Sequence, residues 1–326
     1  MSLAIETPGR KLPRWVTRHE TMLALILAIA LLALGAFNDR FLTVDNLLNQ
    51  GRLMTEIGLI ALPMTFVIIT GGIDLSVGAI VGLCAIMLGY SWKYFGFPLP
   101  LAILFALAVG GAAGLVNGLV ITRIKVPPLI MTIATLALYR GLAEGVSQAH
   151  SVRNYPEWFY ILGQGSVLGV PTQLVILIVL VVIAGVALDR TTFGRTLYAI
   201  GSNETAARFS ALNVDRTKLV IYTLSGLASA LAAVVLVSRV TTTRMDMGMG
   251  YELDVIAAVV LGGTSIFGGS GTIWGTVIGV AMIQLLKNGL ALTGVKGDAT
   301  IIVIGVALIL SVLIASSMQR RRDQSA

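Results

Sequence analysis

Long apolar stretches separated by short polar breaks run along almost the whole chain. Runs of about 20 residues suffice to cross a hydrocarbon core near 30 Å thick, and the pattern predicts ten such spans. They fall at 21–37, 53–70, 76–92, 98–122, 128–147, 172–189, 216–238, 252–267, 272–291 and 298–317. The expected fold class is therefore all-α, a polytopic membrane protein of about ten transmembrane helices in one domain over 1–326, with short basic tails at 1–20 and 318–326. Three divisions, Gly71–Ser76, Pro127-Pro128 and Gly268–Gly271, read equally as loops or as helices broken within the membrane. Irregular backbone at that depth is tolerated only where protein encloses it or water reaches it.

Composition excludes a water-soluble alternative. Of 326 residues, 56% are hydrophobic and 12% charged, against about 25% charged in soluble domains, and the mean hydropathy is +0.90. The net charge of +7, from 23 Lys and Arg against 16 Asp and Glu, does not indicate nucleic acid, because the basic residues lie between apolar spans, where they set orientation. With ten spans and a cytoplasmic N-terminus, the inner segments hold Arg10, Lys11, Arg14, Arg18, Arg123, Lys125, Arg190, Arg195, Arg208, Arg216, Lys218 and Arg320–Arg322, fourteen of the 23. Both termini are expected in the cytoplasm, with the polar stretch 140–171 outside and 189–217 inside. Ala33-Leu34-Gly35 resembles a signal-peptidase site, but nine further spans follow, so the first helix is expected to be retained. Cys84 is the only cysteine, and His19 and His150 lie outside the strongest spans. Neither a disulfide framework nor a metal site is expected.

Glycine recurs every fourth residue at Gly110, Gly114 and Gly118 and again at Gly271, Gly275 and Gly279. Such faces let helices approach closely in lipid, for packing or for sliding. Thr70-Gly71-Gly72-Ile73-Asp74-Leu75-Ser76-Val77-Gly78 sets an acid between apolar runs. Asp74 or Ser76 can cap the next helix after a turn at Gly71 and Gly72, or Asp74 can act directly in transport or gating. The second break, Gly262-Gly263-Thr264-Ser265-Ile266-Phe267-Gly268-Gly269-Ser270-Gly271, carries no Walker lysine and is read as a re-entrant or hinge segment. Polar residues within spans are candidates for a translocation path or its gating: Thr65, Asn117, Tyr139, Asp254, Gln284 and Asn288. Each can instead satisfy a neighbouring helix. Amides and hydroxyls suit a neutral polyol better than a proton relay does.

The most specific feature outside the spans runs from Gly194 to Val214. Ser202 or Asn203 can cap a short helix over Ser202–Ala211, Glu204 complements its positive end, and Ala206 and Ala207 keep it slim. With Phe209 and Leu212 on one side and Arg208 on another, the helix suits a partner's groove, or alternatively the lipid headgroups.

These residues resemble the membrane permease subunit of bacterial ATP-binding-cassette importers of the ribose, xylose and autoinducer-2 type. The resemblance spans about residues 45–315 and rests on Gly71–Gly78, on Gly194-Arg195 with Ala199–Asn203 and Ala206–Arg208, and on Val260–Gly263 with Gly268–Gly271. Members commonly carry Gly where this chain has Ala211. Ile57–Pro63 and Gly82–Ile86 are most similar to autoinducer-2 permeases, with rhamnose permeases close by. The resemblance implies a second permease subunit, identical or related, a cytoplasmic ATP-binding subunit, a periplasmic sugar-binding protein and a place in the bacterial inner membrane. It implies that residues 189–217 form the loop coupling to the ATPase, with Ser202, Asn203, Glu204, Ala206, Ala207, Arg208 and Phe209 at its centre. The chain itself is then no enzyme and carries no cofactor. An ion-coupled secondary carrier is the main competing class, and the scarcity of buried acids speaks against it. An intramembrane enzyme built on Ser147 and His150 lacks a nucleophile elbow and a third partner. A passive scaffold would not need glycine breaks at membrane depth.

Overall fold

A computed structural model describes residues 19–37 and 41–292, with isolated positions at 294, 299, 302, 305, 306 and 309. Nearly all of the tenth expected span, 298–317, and the basic residues at Arg10–Arg18 and Arg320–Arg322 lie outside the described residues. The helices are α1 (His19–Phe37), α2 (Val44–Ile69), α3 (Val77–Lys93), α4 (Leu99–Leu119), α5 (Pro128–Ser147), α6 (Glu157–Gln164), α7 (Thr172–Arg190), α8 (Thr192–Ser202), α9 (Glu204–Phe209), α10 (Val214–Val240), α11 (Tyr251–Leu261) and α12 (Ile273–Leu292). Among the described residues six helices are long and apolar enough to cross a membrane: α2, α4 with the π-turn Val120–Ile124 that extends it, α5, α7, α10 and α12. The chain is thus a polytopic, all-α membrane protein.

Most expected boundaries fall within a few residues of those observed, and the differences have local causes. α2 starts at Val44 rather than near 53, because Thr43 caps it, its hydroxyl accepting from the Asn46 N–H at 3.4 Å. α5 starts at Pro128, where the missing N–H costs nothing, and ends at Gln148, whose φ of +44° turns the chain out of the helix. The eighth expected span, 252–267, is the 11-residue α11, because the helix stops at Leu261 where Gly262 and Gly263 begin. α3 has 17 residues.

Burial divides the bundle into centre and rim. α2, with 83% of its apolar window buried, and α10, with 67%, form the centre, whereas α5 at 22% and α7 at 33% present aliphatic side chains outward, as lipid or another subunit requires. α4 packs on α10 through glycines: a side chain at Gly114 would collide with the Tyr222 carbonyl, and one at Gly226 with that of Gly110. α11 meets α12 likewise, Gly275 and Gly279 lying against the carbonyls of Gly262 and Ala258. Both four-residue glycine stripes therefore serve close helix packing.

Contacts define two ends of the bundle. At one, Lys125 meets Asp215 at 3.0 Å, Thr132 donates to the Ile73 carbonyl at 3.2 Å and the Gly269 N–H donates to the Ile69 carbonyl at 2.9 Å. At the other, the Tyr90 hydroxyl donates to the Ser147 carbonyl at 2.6 Å and Gln164 to the Arg239 carbonyl at 2.9 Å. The short strands β1 (Val152–Arg153), β2 (Ser166–Val167), β3 (Val170–Pro171) and β4 (Thr242–Thr243) lie near this second end. β1 pairs antiparallel with β4 (Val152 opposite Thr243), and β2 with β3 (Val167 opposite Val170).

Candidate functional site

The segment 189–217 folds as two helices rather than one. Thr191 caps α8, and Asn203, extended at φ −163°, ends α8 and starts α9, its Oδ1 accepting from the Ala206 N–H at 2.9 Å. Ser202 is the last residue of α8 and does not cap. α9 ends with the Ala211 N–H bonded to the Arg208 carbonyl and the Leu212 N–H to the Ala207 carbonyl, both at 3.2 Å. That pair of bonds requires a left-handed residue at Ala211, whose φ is +59°. A glycine there would meet this demand without strain.

The faces of α9 are sorted sharply. Ala207 is buried with Ile200 and Val214, and Leu212 packs against them. Phe209, expected beside Leu212, points the other way and is 90% exposed. Glu204 takes Lys218 at 2.6 Å and Arg208 at 2.8 Å, and Arg208 also takes Asp215 at 2.6 Å, which holds Lys125 at 3.0 Å. This chain of charges ties α9 to the first turn of α10 and to the end of α4. Partial burial pushes the Glu204 carboxyl up, but the Lys218 and Arg208 bonds outweigh it and hold it below its ordinary range. Hydrogen bonds to Asp215 and Glu204 raise the Arg208 guanidinium above its ordinary value.

The two glycine breaks, which begin 191 positions apart at Gly71 and Gly262, are brought together against α8.

 The first break runs through Gly71–Ser76 and the second through Gly262–Gly271. The Gly269 N–H donates to the Ile69 carbonyl at 2.9 Å, and the Tyr198 hydroxyl of α8 donates to the Gly271 carbonyl at 2.7 Å. Gly201, in the last turn of α8, sits so close that any side chain would overlap the Ile69 carbonyl and the Gly269 N–H. Gly71 and Gly268 turn the chain at φ +77° and +87°, conformations that cost an L side chain about 1–2 kcal/mol. Gly72 lies against the Tyr222 hydroxyl, and Gly263 and Gly269 also take positive φ.

Beside the first break, Asp74 and Ser76 are fully buried. Asp74 Oδ1 accepts from the Ser76 N–H at 3.0 Å and the Ser76 hydroxyl at 2.6 Å, and Oδ2 accepts from Ser225 at 2.8 Å. Asn117 Nδ2 donates to Ser76 Oγ at 2.8 Å. The cluster joins α3, α4 and α10, while Tyr139 on α5 donates to the Ala113 carbonyl of α4 at 2.9 Å. Asp74 thus binds the residues just before α3; the Ser76 side chain makes no capping bond to that helix.

The other polar candidates fall into separate groups. Gln284 donates to Gln50 at 2.8 Å, Gln50 to Asn46 at 3.2 Å, and Asn46 to Asn288 at 3.0 Å, an amide ladder between α2 and α12. Asp254 pairs with Lys287 at 2.5 Å, and Thr65 shares a hydrogen bond with Thr276 at 2.7 Å. Sequence reasoning passed over Glu56, a buried carboxylate in α2 held by Arg239 at 2.7 and 3.1 Å and by the Tyr251 hydroxyl at 2.9 Å. An acid inside an apolar run was the available signal, and its partner lies 183 positions away. Arg140 was also missed; it donates to the carbonyls of Met245 and Met247 at 2.8 and 3.1 Å and so satisfies the irregular backbone leading into α11.

Comparison with known proteins shows the family of the chain. Residues 46–312 match the family described as branched-chain amino acid transport system, permease component. Among curated relatives, the autoinducer 2 import system permease protein LsrD of Escherichia coli K12 is 39% identical over 311 residues, covering 94% of each chain. LsrD of Shigella flexneri and of Escherichia coli O157:H7 match at the same identity of 39% and the same coverage of 94%. No solved structure matches.

Proposed function

Because the chain belongs to the family of branched-chain amino acid transport system permease components, we propose that it is the membrane permease subunit of an ATP-binding-cassette importer for a sugar-like solute. As a permease component it is not an enzyme: ATP hydrolysis belongs to an ATP-binding subunit, and a substrate-binding protein delivers the solute. Autoinducer 2, the solute named for the relatives at 39% identity, ranks first, ahead of rhamnose or a pentose. The observation that carries the reading is the α8–α9 element, a capped projection whose outer residue Phe209 is 90% exposed while its base rests on both glycine breaks. An exposed aromatic on a short, charge-fixed helix suits insertion into a groove of the ATP-binding subunit.

Charge supports an orientation. Arg123, Lys125, Arg190, Arg195, Arg208, Arg216 and Lys218 gather at the α8–α9 end, against Lys93, Arg153, Arg239 and Arg244 at the other. The positive-inside rule then sets α8–α9 and both termini in the cytoplasm of a bacterial inner-membrane protein. The whole chain, 1–326, acts as one permease domain with 189–217 as its coupling loop. A second permease subunit, identical or related, is assigned to the uncovered faces of the bundle, of which α5, with 22% of its window buried, is the barest.

The alternative, an ion-coupled carrier, would rest on buried carboxylates. Glu56 is already matched by Arg239 and Asp254 by Lys287, which leaves Asp74, held by neutral donors alone, and Glu252, whose buried Oε2 has no hydrogen-bond partner among the described residues. The test is a mild-detergent pull-down of tagged protein from native membranes, with mass spectrometry of what co-purifies. An ATPase and a periplasmic binding protein are expected, and ligand screening of that binding protein then names the solute. Recovery of the chain alone, in good yield and active in gradient-driven uptake, would install the carrier reading.

A further inference from the structure

Three features singled out separately in the sequence, the two glycine breaks and the segment after Gly194, meet at one point. α8 reaches the edge of the first break where Gly201 abuts the carbonyl of Ile69, the last residue of α2. It touches the second through the Gly269 N–H beside Gly201 and through the Tyr198 hydroxyl, 2.7 Å from the Gly271 carbonyl. The second break is also bonded directly to the end of α2 from which the first break leaves, by Gly269 N–H to Ile69 carbonyl at 2.9 Å. Close backbone packing of this kind has discrete arrangements rather than a continuous range, because a glycine seat without free volume either holds or opens. α9 is fixed to the start of α8's neighbour α10 by ions, yet α8 is fixed to the breaks by backbone contact and one phenol.

On the coupling role proposed above, we infer that Tyr198 and Gly201 are the positioning residues through which α8 holds both breaks shut, so that displacement of α8–α9 by the ATP-binding subunit releases α3 and α12 together. Release of the first break moves Ile73–Ser76, and with it the hydrogen bonds of Asp74 to α10 and of Ser76 to α4. Release of the second frees the close contact of Gly262 with Gly275 between α11 and α12. One lever then acts on two helix pairs, and neither residue needs to touch the solute.

Two variants of the full complex, reconstituted in proteoliposomes, test this. Tyr198→Phe removes one hydroxyl and no volume. It is expected to assemble and hydrolyse ATP, while solute moved per ATP falls roughly 2- to 10-fold, the factor one net hydrogen bond represents. Ser202→Cys with Gly269→Cys places two thiols within disulfide reach, since a side chain at Gly269 would start 3.3 Å from Ser202 Oγ, and the native Cys84 is buried. Oxidation is expected to stop uptake and a reductant to restore it. Native coupling in the Phe variant, failure of the cysteine pair to cross-link, or undiminished uptake by the oxidised protein would overturn the inference. If the Phe variant does not assemble, the cross-link decides. Uptake by the unmodified complex that needs no ATP would instead remove the importer reading, a result distinct from all of these.

Discussion

Ala211→Gly is expected to stabilise the end of α9. Ala211 holds φ +59°, and a left-handed conformation costs an L-residue about 1–2 kcal/mol. Glycine removes that strain but gives back about 0.4–1 kcal/mol through the greater freedom of the open chain. The net gain is about 0.5–1 kcal/mol, felt locally because two bonds depend on the turn, Ala211 N–H to Arg208 carbonyl and Leu212 N–H to Ala207 carbonyl, each 3.2 Å. Local opening of a surface helix governs exchange of those amides. Hydrogen exchange by mass spectrometry on a peptide covering residues 203–214 should therefore slow by roughly 2- to 5-fold, while a peptide from α5 stays unchanged. Unchanged or faster exchange at 203–214 would refute both the left-handed assignment and the strain it implies.

Further outcomes follow from the other contacts. Glu204→Gln weakens two partly exposed ion pairs worth about 0.2–1 kcal/mol each, so co-purification of the ATP-binding subunit should fall, more in low salt than in high. Because the Glu204 carboxyl titrates below its ordinary range, its contribution is complete above the unfolded value near pH ~4.3 and is lost as the pH falls through the lower folded value. Stability of the α9 contacts should accordingly be flat around neutrality and decline only in acid, as read by the same peptide exchange. Glu56→Gln strands the partly buried Arg239 and should lower thermal stability by up to about 3–5 kcal/mol, with partial recovery in a Glu56→Gln, Arg239→Gln pair. Asn288→Leu breaks the amide ladder at about 0.6–1.7 kcal/mol and should leave the KM for uptake unchanged while lowering the melting temperature.

Much of this architecture was legible because apolar length and glycine chemistry are local signals. The limits of α5 and α7, at Pro128–Ser147 and Thr172–Arg190, follow from runs bounded by Pro, Arg and polar residues. The shortness of α11 was only half legible: Gly262 and Gly263 marked a break, but the apolar Ile266-Phe267 beyond them carried the expected span on to 267, whereas the helix stops at Leu261. Asn203 was recognisable as a cap, but the turn of Leu212 back onto Ala207 depends on the left-handed Ala211, which an alanine does not advertise. The amide ladder carried a signal that went unread, since Asn46 and Gln50 match Gln284 and Asn288 as two i, i+4 pairs able to face one another. Glu56 with Arg239, 183 positions apart, and the meeting at Gly201 of residues as distant as Ile69 and Gly269, join parts of the chain that no local pattern connects.

The most direct test of the importer reading is uptake of radiolabelled autoinducer 2 into proteoliposomes holding the chain with its co-purified ATP-binding subunit and binding protein. Accumulation should require ATP hydrolysis and the binding protein, and should persist when ionophores collapse every ion gradient. Uptake that survives without the ATP-binding subunit and stops with the ionophores would contradict it.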